Sequence, residues 1–257
     1  MSSQIERAET LARLHIKGDP LVLFNIWDAG SAQAMQEIGA QVIATGSWSV
    51  AAAHGYSDGE KLPFDLALAN LRRIVASVDL PVTIDLEGGY GHSPGEVQDT
   101  VSQVIEAGAV GINFEDQMIG EDDLYPVDEQ CARILAIRTA AKQMSVPLFI
   151  NARTDIFLNL HPSDHGDDHI EEALSRAAAY ASAGASGFFA PGLRDAKLIS
   201  QLCEQTLLPV NIMVLPGIPS SIELAALGVS RISYGPGPYR QMIEALKVAG
   251  RKTLSIT

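Results

Sequence analysis

The sequence predicts a single (β/α)8 barrel, the TIM-barrel fold, spanning residues 1–257 as one domain. Three observations favour it. Short apolar segments alternate with helical patterns eight times, most connections are short, and 257 residues suit one barrel of this kind. Strict alternation implies parallel strands joined by crossover helices. A doubly wound open sheet is the alternative, and the lack of a Gly-x-Gly-x-x-Gly motif after the first strand weakens it.

The predicted elements follow from the spacing of apolar residues. The strands lie at 21–25, 41–45, 82–86, 110–114, 147–151, 187–190, 209–213 and 231–235. The helices lie at 31–40, 64–78, 93–109, 127–144, 167–185, 194–206, 220–228 and 239–250. The helix at 93–109 begins with a capping pattern, because Ser93 is followed by Pro94 and then by Glu96. The polar segment 1–20 also has a helical pattern.

Composition narrows the classes of function. The net charge of −13 argues against a nucleic-acid partner, since a nucleic-acid backbone is itself anionic. The chain has no apolar run long enough to span a membrane, and its N-terminus lacks the apolar region of a secretory signal. Cys131 and Cys203 show no metal-ligand spacing, which indicates a reducing cytoplasmic location.

The most informative segment is VTIDLEGGYG at 82–91. Asp85 and Glu87 end a buried strand, and side chains two residues apart on a strand point the same way. In a barrel of this kind, the carboxyl ends of the strands carry the chemistry. Two such carboxylates, completed by water, are suited to a hard divalent cation. The alternative interpretation is a glycine turn flanked by solvated acids.

The other strand ends supply complementary groups. Glu115 follows the fourth strand and Arg153 the fifth, where a guanidinium fork suits a carboxylate. Backbone N–H groups at 45–47 are candidate donors to a second anionic group. Two alternatives stay open: Arg153 forms a structural ion pair with Asp155 or Glu115, and Asn211 makes only a strand-end hydrogen bond.

Seven segments, in order, resemble the isocitrate lyase and phosphoenolpyruvate mutase superfamily. They are NIWDAGSA (25–32), TGSWSVAAAHGYSDG (45–59), VTIDLEGGYG (82–91), GINFEDQ (111–117), INARTD (150–155), PVNIM (209–213) and ELAALGVSRISYGP (223–236). The resemblance implies a barrel whose last helix is often exchanged between subunits of a homodimer or homotetramer. It also implies Mg²⁺, with Mn²⁺ as a substitute, and small 2-oxo acids or 2-hydroxy diacids as substrates.

The resemblance also implies roles for individual residues. Asp85 is similar to the direct metal ligand, Asp58 and Glu87 to the acids that hold metal-bound waters, and Glu115 to a glutamate of the same shell. The residues expected to contact substrate are Trp27, Thr45, Gly46, Ser47, Arg153 and Asn211. Arg153, Glu115 and Asp58 are the implied catalytic residues.

The chain departs from the family at three places. Its loop MIGEDDLYPVDEQ (118–130) lacks both the Lys-Lys-Cys-Gly-His motif of the lyases and the Asn-Ser pair of the mutase, and Cys131 lies beyond it in a predicted helix. A lyase glutamate after the sixth strand is replaced by Pro191 and Gly192, and the usual second acid of the strand-three motif is Glu87 instead of aspartate. These departures argue against a standard isocitrate lyase, methylisocitrate lyase or phosphonomutase.

The missing cysteine leaves the acid or base of the reaction open. Glu121, Asp122 and Asp123 are candidates in the loop, where a solvated acidic turn is the alternative. The histidines at 161, 165 and 169 are four residues apart, but Pro162 and Gly166 interrupt any helix there, so a capping segment is favoured over a functional cluster. His54 is a candidate by position alone.

The function predicted from the sequence is Mg²⁺-dependent cleavage of a C–C bond beside a 2-oxo acid, as a lyase or decarboxylase, through a metal-stabilised enolate. The partner is therefore a small carboxylate, with neither nucleic acid nor membrane involved. Two alternatives remain: a P–C bond phosphonomutase or phosphonopyruvate hydrolase, and a barrel that binds an oxo acid without turnover.

Overall fold

The fold is an eight-stranded parallel (β/α)8 barrel, seen in a computed structural model that describes residues 3–121 and 123–254. The strands are β1 (Leu21–Leu23), β2 (Ile43–Ala44), β3 (Val82–Asp85), β4 (Gly111–Glu115), β5 (Phe149–Arg153), β6 (Gly187–Phe189), β7 (Val210–Met213) and β8 (Arg231–Ser233). Their order is β1-β8-β7-β6-β5-β4-β3-β2. The barrel predicted from the alternation of strands and helices is thereby confirmed.

Ten helices surround the strands within the described ranges. They are α1 (Gln4–Arg13), α2 (Ala29–Glu37), α3 (Ser47–Ala53), α4 (Phe64–Ser77), α5 (Pro94–Glu106), α6 (Val127–Gln143), α7 (Asp167–Ala183), α8 (Ala196–Gln205), α9 (Ser221–Ala226) and α10 (Gly237–Leu254). A short 3-10 helix, Pro162–Asp164, precedes α7. The short helix α3 was absent from the sequence prediction, because 47–53 had been assigned to the loop after the second strand.

The barrel closes between β1 and β2 through a brief parallel bridge just beyond the two strands. The N–H of Ile26 donates to the carbonyl of Ala44 at 2.8 Å, and the N–H of Gly46 donates to the carbonyl of Ile26 at 3.2 Å. The closure places Gly46 and Ser47 at the carboxyl end of the barrel, directly beside the end of β3.

The barrel interior is polar near its middle, although most of the surrounding core is aliphatic. Asn113 accepts hydrogen bonds from Asn151 at 2.9 Å and from the buried Arg231 at 3.1 Å. The hydroxyl of Ser233 donates to Asn211 at 3.1 Å. These side chains form the floor beneath the carboxyl ends of the strands, because their strands continue from this layer toward that end.

The opposite end of the barrel is covered by α1 and the turn after it. Leu11 and Ala8 are fully buried there, and the His15 ring stacks on Phe149 at a centroid distance of 3.9 Å. A carboxyl end open to solvent and a closed amino end make the former the place for a site. None of the described helices is long and apolar enough to cross a membrane.

Candidate active site

A cavity of about 160 Å³ opens at the carboxyl end of the barrel. Five residues predicted from the sequence line it: Gly46, Ser47, Asp58, Asp85 and Arg153. The other lining residues are Asn25, Trp48, Asn113, Leu158, Phe189, Pro191, Met213, Ser233, Gly235 and Pro236. The cavity therefore has a charged side built from the strand-two, strand-three and strand-five ends, and an apolar wall opposite.

Asp85 is held at the cavity by the neighbouring strand end. Its Oδ2 accepts the Ser47 N–H at 3.0 Å, and its own N–H donates to Oγ1 of Thr45 at 2.9 Å. Its Oδ1 is buried and has no hydrogen-bond partner among the described residues. A buried carboxylate oxygen without a partner is costly, so this atom is suited to binding a cation.

Strand β3 ends at Asp85 and the chain then turns sharply, so Glu87 is not on the strand that carries Asp85. Its backbone is left-handed, with φ 53°, and its Oε2 accepts the N–H groups of Gly59 and Glu60, each at 2.7 Å. In return, Oε1 of Glu60 accepts the N–H of Tyr90 at 2.7 Å. The loop that carries Asp58 is thus fastened to the turn after β3, which brings Asp58 toward Asp85.

The acids influence one another electrostatically. Burial and the charge of Asp58 raise the pKa of Glu87 to about 7. Burial of its carboxylate and the charge of Asp85 raise the pKa of Asp58, although the residue as a whole is exposed. Burial raises the pKa of Glu115 well above its ordinary value, an effect that Arg153 opposes. A divalent cation near these carboxylates would offset their mutual repulsion.

The donor set fits a cation that is bound mainly through water. Among the described residues, no three His, Cys, Asp or Glu side chains are grouped so that all could ligate one ion. Oδ1 of Asp85 is the available direct ligand, and Asp58, Glu87 and Glu115 all lie near enough to Asp85 for its charge to raise their pKa. Mg²⁺ commonly keeps several waters and takes one or two carboxylates from the protein.

Arg153 is locked between two acids. Its Nε and Nη2 donate to the two carboxylate oxygens of Asp155 at 2.5 and 2.7 Å, and its Nη1 pairs with Oε2 of Glu115 at 2.7 Å. The structure thus shows the ion-pair alternative, with both partners, while Arg153 still lines the cavity. These two acids raise the pKa of Arg153 although burial alone would lower it, so it is permanently cationic.

Other predicted residues lie around the cavity instead of in its wall. Trp27 packs edge-on against Tyr239 at 5.1 Å and lies outside the cavity, which is lined by Trp48. Thr45 and Asn211 are buried beneath the lining, with Asn211 bonded to Ser233. Direct substrate contact by Trp27, Thr45 and Asn211 stays a prediction.

The backbone donors expected at 45–47 are all engaged in this structure. The Thr45 N–H donates to the carbonyl of Thr83, that of Gly46 to Ile26, and that of Ser47 to Asp85. An incoming carboxylate would have to replace one of these acceptors. Ser47 differs from the other two because its acceptor is a side chain, Asp85, instead of a main-chain carbonyl.

The loop after β4 does not reach the cavity. Gln117 fastens it, donating to the carbonyls of Glu121 and Asp123 and accepting from Asn159 at 2.7 Å. Glu121 and Asp123 are exposed and line no part of the cavity, and Asp122 lies outside the described residues. The solvated-turn interpretation is therefore the one this structure shows for the two described acids.

The remaining candidates also lie apart from the cavity. His161 bonds to Ser163, His165 packs against Phe157, and His169 accepts the Gly166 N–H in front of α7, so the three rings are not aligned. His54 bonds to the carbonyl of Val50 at the end of α3. Cys131 and Cys203 are free thiols outside the lining.

Several lining residues were not predicted from the sequence, among them Asn113, Ser233 and Trp48. Asn113 and Ser233 lie inside predicted strands, where a polar residue in an apolar run was the available signal. Trp48 was missed because the helix α3 that carries it was not predicted.

A family model matches nearly the whole chain. The model for phosphoenolpyruvate phosphomutase covers residues 11–254. The chain belongs to this family. A solved structure from Burkholderia cenocepacia, named only as a candidate phosphonomutase, is 46% identical with a TM-score of 0.96, covering 98% of this chain and 100% of that one.

Relatives with named activities are more distant. The 2-methylisocitrate lyase of Escherichia coli is 28% identical over 89% of this chain and 78% of its own. Oxaloacetate decarboxylase 2 of Pseudomonas putida is 26% identical, and the match covers 89% of this chain and 74% of that protein. A phosphonopyruvate hydrolase, solved with oxalate and Mg²⁺, shares the fold at 20% identity with a TM-score of 0.83, over 97% of this chain and 88% of that one. The named relatives thus include a lyase and a decarboxylase, and the hydrolase has the same fold.

Proposed function

We propose that this protein is a Mg²⁺-dependent lyase or decarboxylase that cleaves a C–C bond of a small 2-oxo acid or 2-hydroxy diacid. The observation that carries the proposal is the pairing, in one small cavity, of Asp85 with an unpartnered buried oxygen and Arg153 with a fixed guanidinium. Two named relatives, a methylisocitrate lyase and an oxaloacetate decarboxylase, support C–C cleavage.

The residues on the charged side of the cavity have different proposed roles. Asp85 would hold the cation, with Asp58, Glu87 and Glu115 accepting hydrogen bonds from its waters. When bound, the cation would supply Lewis-acid polarisation of the substrate's C2 oxygen. Arg153 would bind the substrate carboxylate, and the Ser47 N–H would add a backbone donor.

The cavity restricts the substrate's size and the source of the proton. At about 160 Å³, it suits a molecule of a few carbon atoms, with Trp48, Phe189 and Met213 on the apolar side. No described residue lining it is a Cys, His, Lys or Tyr. Decarboxylation suits such a site, because the product carbon can take its proton from water.

The testing experiment is NMR-monitored turnover of a panel with Mg²⁺ and with EDTA. The panel holds oxaloacetate, 2-alkylmalates, 2-methylisocitrate, phosphonopyruvate and carboxyphosphonoenolpyruvate. Mg²⁺-dependent release of a 2-oxo acid from a carbon substrate is the expected result. Turnover of phosphonates alone would contradict the proposal.

P–C bond chemistry is the second candidate, favoured by the 46% identity to the Burkholderia cenocepacia protein. The same charged side would serve it, since phosphonopyruvate is also a 2-oxo acid. The absence from 118–130 of the mutase's Asn-Ser pair argues against it. The phosphonates in the panel decide between the two.

We further propose a cytoplasmic homo-oligomer held together by α10. Of the described part of this 18-residue helix, only Pro238 is buried, and Leu246 and Val248 are 63% and 65% exposed. Apolar side chains along one helix are typical of a surface that a second subunit covers.

A further inference from the structure

One turn of α6 bonds to the main chain at both acid-bearing strand ends. The guanidinium of Arg133 donates through Nη2 to the carbonyls of Gly88 and Gly91, the latter at 3.0 Å, directly after Glu87. Its Nη1 donates to Gln130 at 2.6 Å, and Gln130 Nε2 donates to the main-chain carbonyl of Glu115 at 2.9 Å. We call Gln130 and Arg133 the α6 clamp.

The turn held by the clamp is strained. Glu87, Gly89 and Tyr90 all have left-handed backbones, with φ of 53°, 92° and 51°. Non-glycine residues adopt this conformation only where the surroundings enforce it. Hydrogen bonds from a fixed cation to carbonyls enforce it, because they hold the main chain just before Gly89, at Gly88, and just after Tyr90, at Gly91.

The clamp is itself rigid and inaccessible. Gln130 and Arg133 are 0% and 1% exposed. The Arg133 guanidinium lies 3.9 Å from the Tyr125 ring centre and 4.8 Å from that of Phe114. No carboxylate among residues 3–121 and 123–254 lies within ion-pair distance of Arg133, so its partners are main-chain carbonyls, the Gln130 side chain and aromatic rings.

We propose that Arg133, directly and through Gln130, is a positioning residue that fixes the backbone presenting Glu87 and Glu115 to the cation. The proposal rests on the function proposed above. Arg133 lines no part of the cavity and bonds to none of its acids, so it acts on them through the backbone that it holds. Without it, the turn after Glu87 relaxes from its left-handed conformation, and the carboxylate leaves the cluster.

The test compares Arg133→Met with Arg138→Met in the full-length chain. Arg138 is the matched control, because it lies on the same helix and also donates to main-chain carbonyls, those of Gly184 and Leu148, at the opposite end of the barrel. Mn²⁺ affinity is measured by calorimetry, and hydrogen exchange is measured for segment 86–91. R133M is expected to weaken Mn²⁺ binding at least tenfold and speed exchange of 86–91 at least tenfold, and R138M to change neither.

Each outcome decides. Wild-type Mn²⁺ affinity in folded R133M, or equal weakening in R138M, would overturn the proposal. If R133M does not fold, Arg133→Lys replaces it, since lysine keeps one donor. R133K is then expected to bind Mn²⁺ more weakly than wild type, but by less than tenfold. Unchanged Mn²⁺ affinity in R133K would overturn the inference. A wild-type chain that binds no Mn²⁺ would refute the metal site, and unchanged exchange of 86–91 in R133M would separately refute the clamp.

Discussion

Asp85 is the residue on which the chemistry depends most. Among the described residues, its buried Oδ1 has no partner, and its Oδ2 accepts the Ser47 N–H. We expect Asp85→Ala to abolish Mn²⁺ binding in calorimetry and to lower turnover at least about a hundredfold, as for loss of one central electrostatic group. Retained turnover with lost binding would contradict the assignment, and lost binding together with lost turnover would exclude a barrel that only binds.

The control for Asp85 is the exposed carboxylate Asp99 on α5. Asp99→Ala also removes one negative charge, but Asp99 lies in the middle of α5 and not at a strand end. It is expected to leave Mn²⁺ affinity and turnover unchanged. In EDTA, Asp85→Ala is expected to unfold close to the wild-type temperature, because the lost bond to Ser47 is offset by relieved repulsion from Asp58 and Glu87.

Arg153 tests how much of the site depends on fork geometry. Asp116 accepts the Asp155 N–H at 3.0 Å, and the Asp155 carboxylate accepts hydrogen bonds from two nitrogens of Arg153. Lysine keeps the charge but loses the fork, so Arg153→Lys is expected to lower kcat/KM about 10- to 100-fold. Steady-state kinetics measure it, and wild-type kcat/KM would show that charge alone suffices.

At the scale of elements, α5 is fixed by the capping box predicted from its sequence. Ser93 accepts the Glu96 N–H at 3.3 Å, and Oε2 of Glu96 accepts the N–H of Ser93 at 2.8 Å. Ser93→Ala is expected to cost about 1 kcal/mol in urea unfolding. Ser102→Ala, in the middle of the same helix, is the control and is expected to change little, because Ser102 only returns a bond to Gln98.

Elements with periodic patterns were predictable, and local exceptions were not. Helix α5 and strand β3 lie within a few residues of their predicted bounds, because capping and apolar runs act locally. The helix α3 escaped prediction, since a seven-residue segment is too short for periodicity to reveal. It begins beside Asp85 through the Ser47 N–H, a contact between residues 38 apart that local pattern cannot encode.

The candidate site shows the same division. Asp85 and Arg153 were located because strand ends in a barrel converge on one face, whereas Asp58 was expected only from the family resemblance. The bonds from Gly59 and Glu60 to Glu87 depend on three left-handed residues, Glu60, Glu87 and Tyr90, whose conformation the residue types do not favour. Likewise, the outward position of Trp27 follows from Tyr239 on α10, which packs against it from the far end of the chain.

For the whole molecule, His15 predicts how stability depends on pH. Burial and the charge of Arg231 lower the pKa of His15 to about 3. Below the ordinary pKa of about 6.5, His15 is protonated in the unfolded chain but stays neutral in the folded chain. The free energy of unfolding therefore decreases as the pH is lowered from about 6.5 to about 3. Between pH 7 and pH 5 the loss from His15 is up to about 2 kcal/mol.

The variant that tests this is His15→Asn, whose side chain keeps a donor near Nδ1 for the carbonyl of Leu11. The difference in unfolding free energy between pH 7 and pH 5 is expected to shrink relative to wild type. His54→Asn is the control, because His54 is an exposed histidine with a similar bond to a carbonyl four residues earlier. An unchanged difference in His15→Asn would mean that other groups govern acid stability.

Assembly is the remaining property of the whole molecule, and α10 determines it in our proposal. Leu246 is 63% exposed on a helix that buries only Pro238 among its described residues, so a charge there would face an apolar partner. Leu246→Asp is expected to weaken self-association at least tenfold, seen as a lower mass in light scattering at equal concentration. Leu207→Asp is the control, because Leu207 is 98% exposed at a turn away from α10. Equal loss of mass in both variants would attribute association to general surface hydrophobicity, whereas loss in Leu246→Asp alone assigns it to the helix.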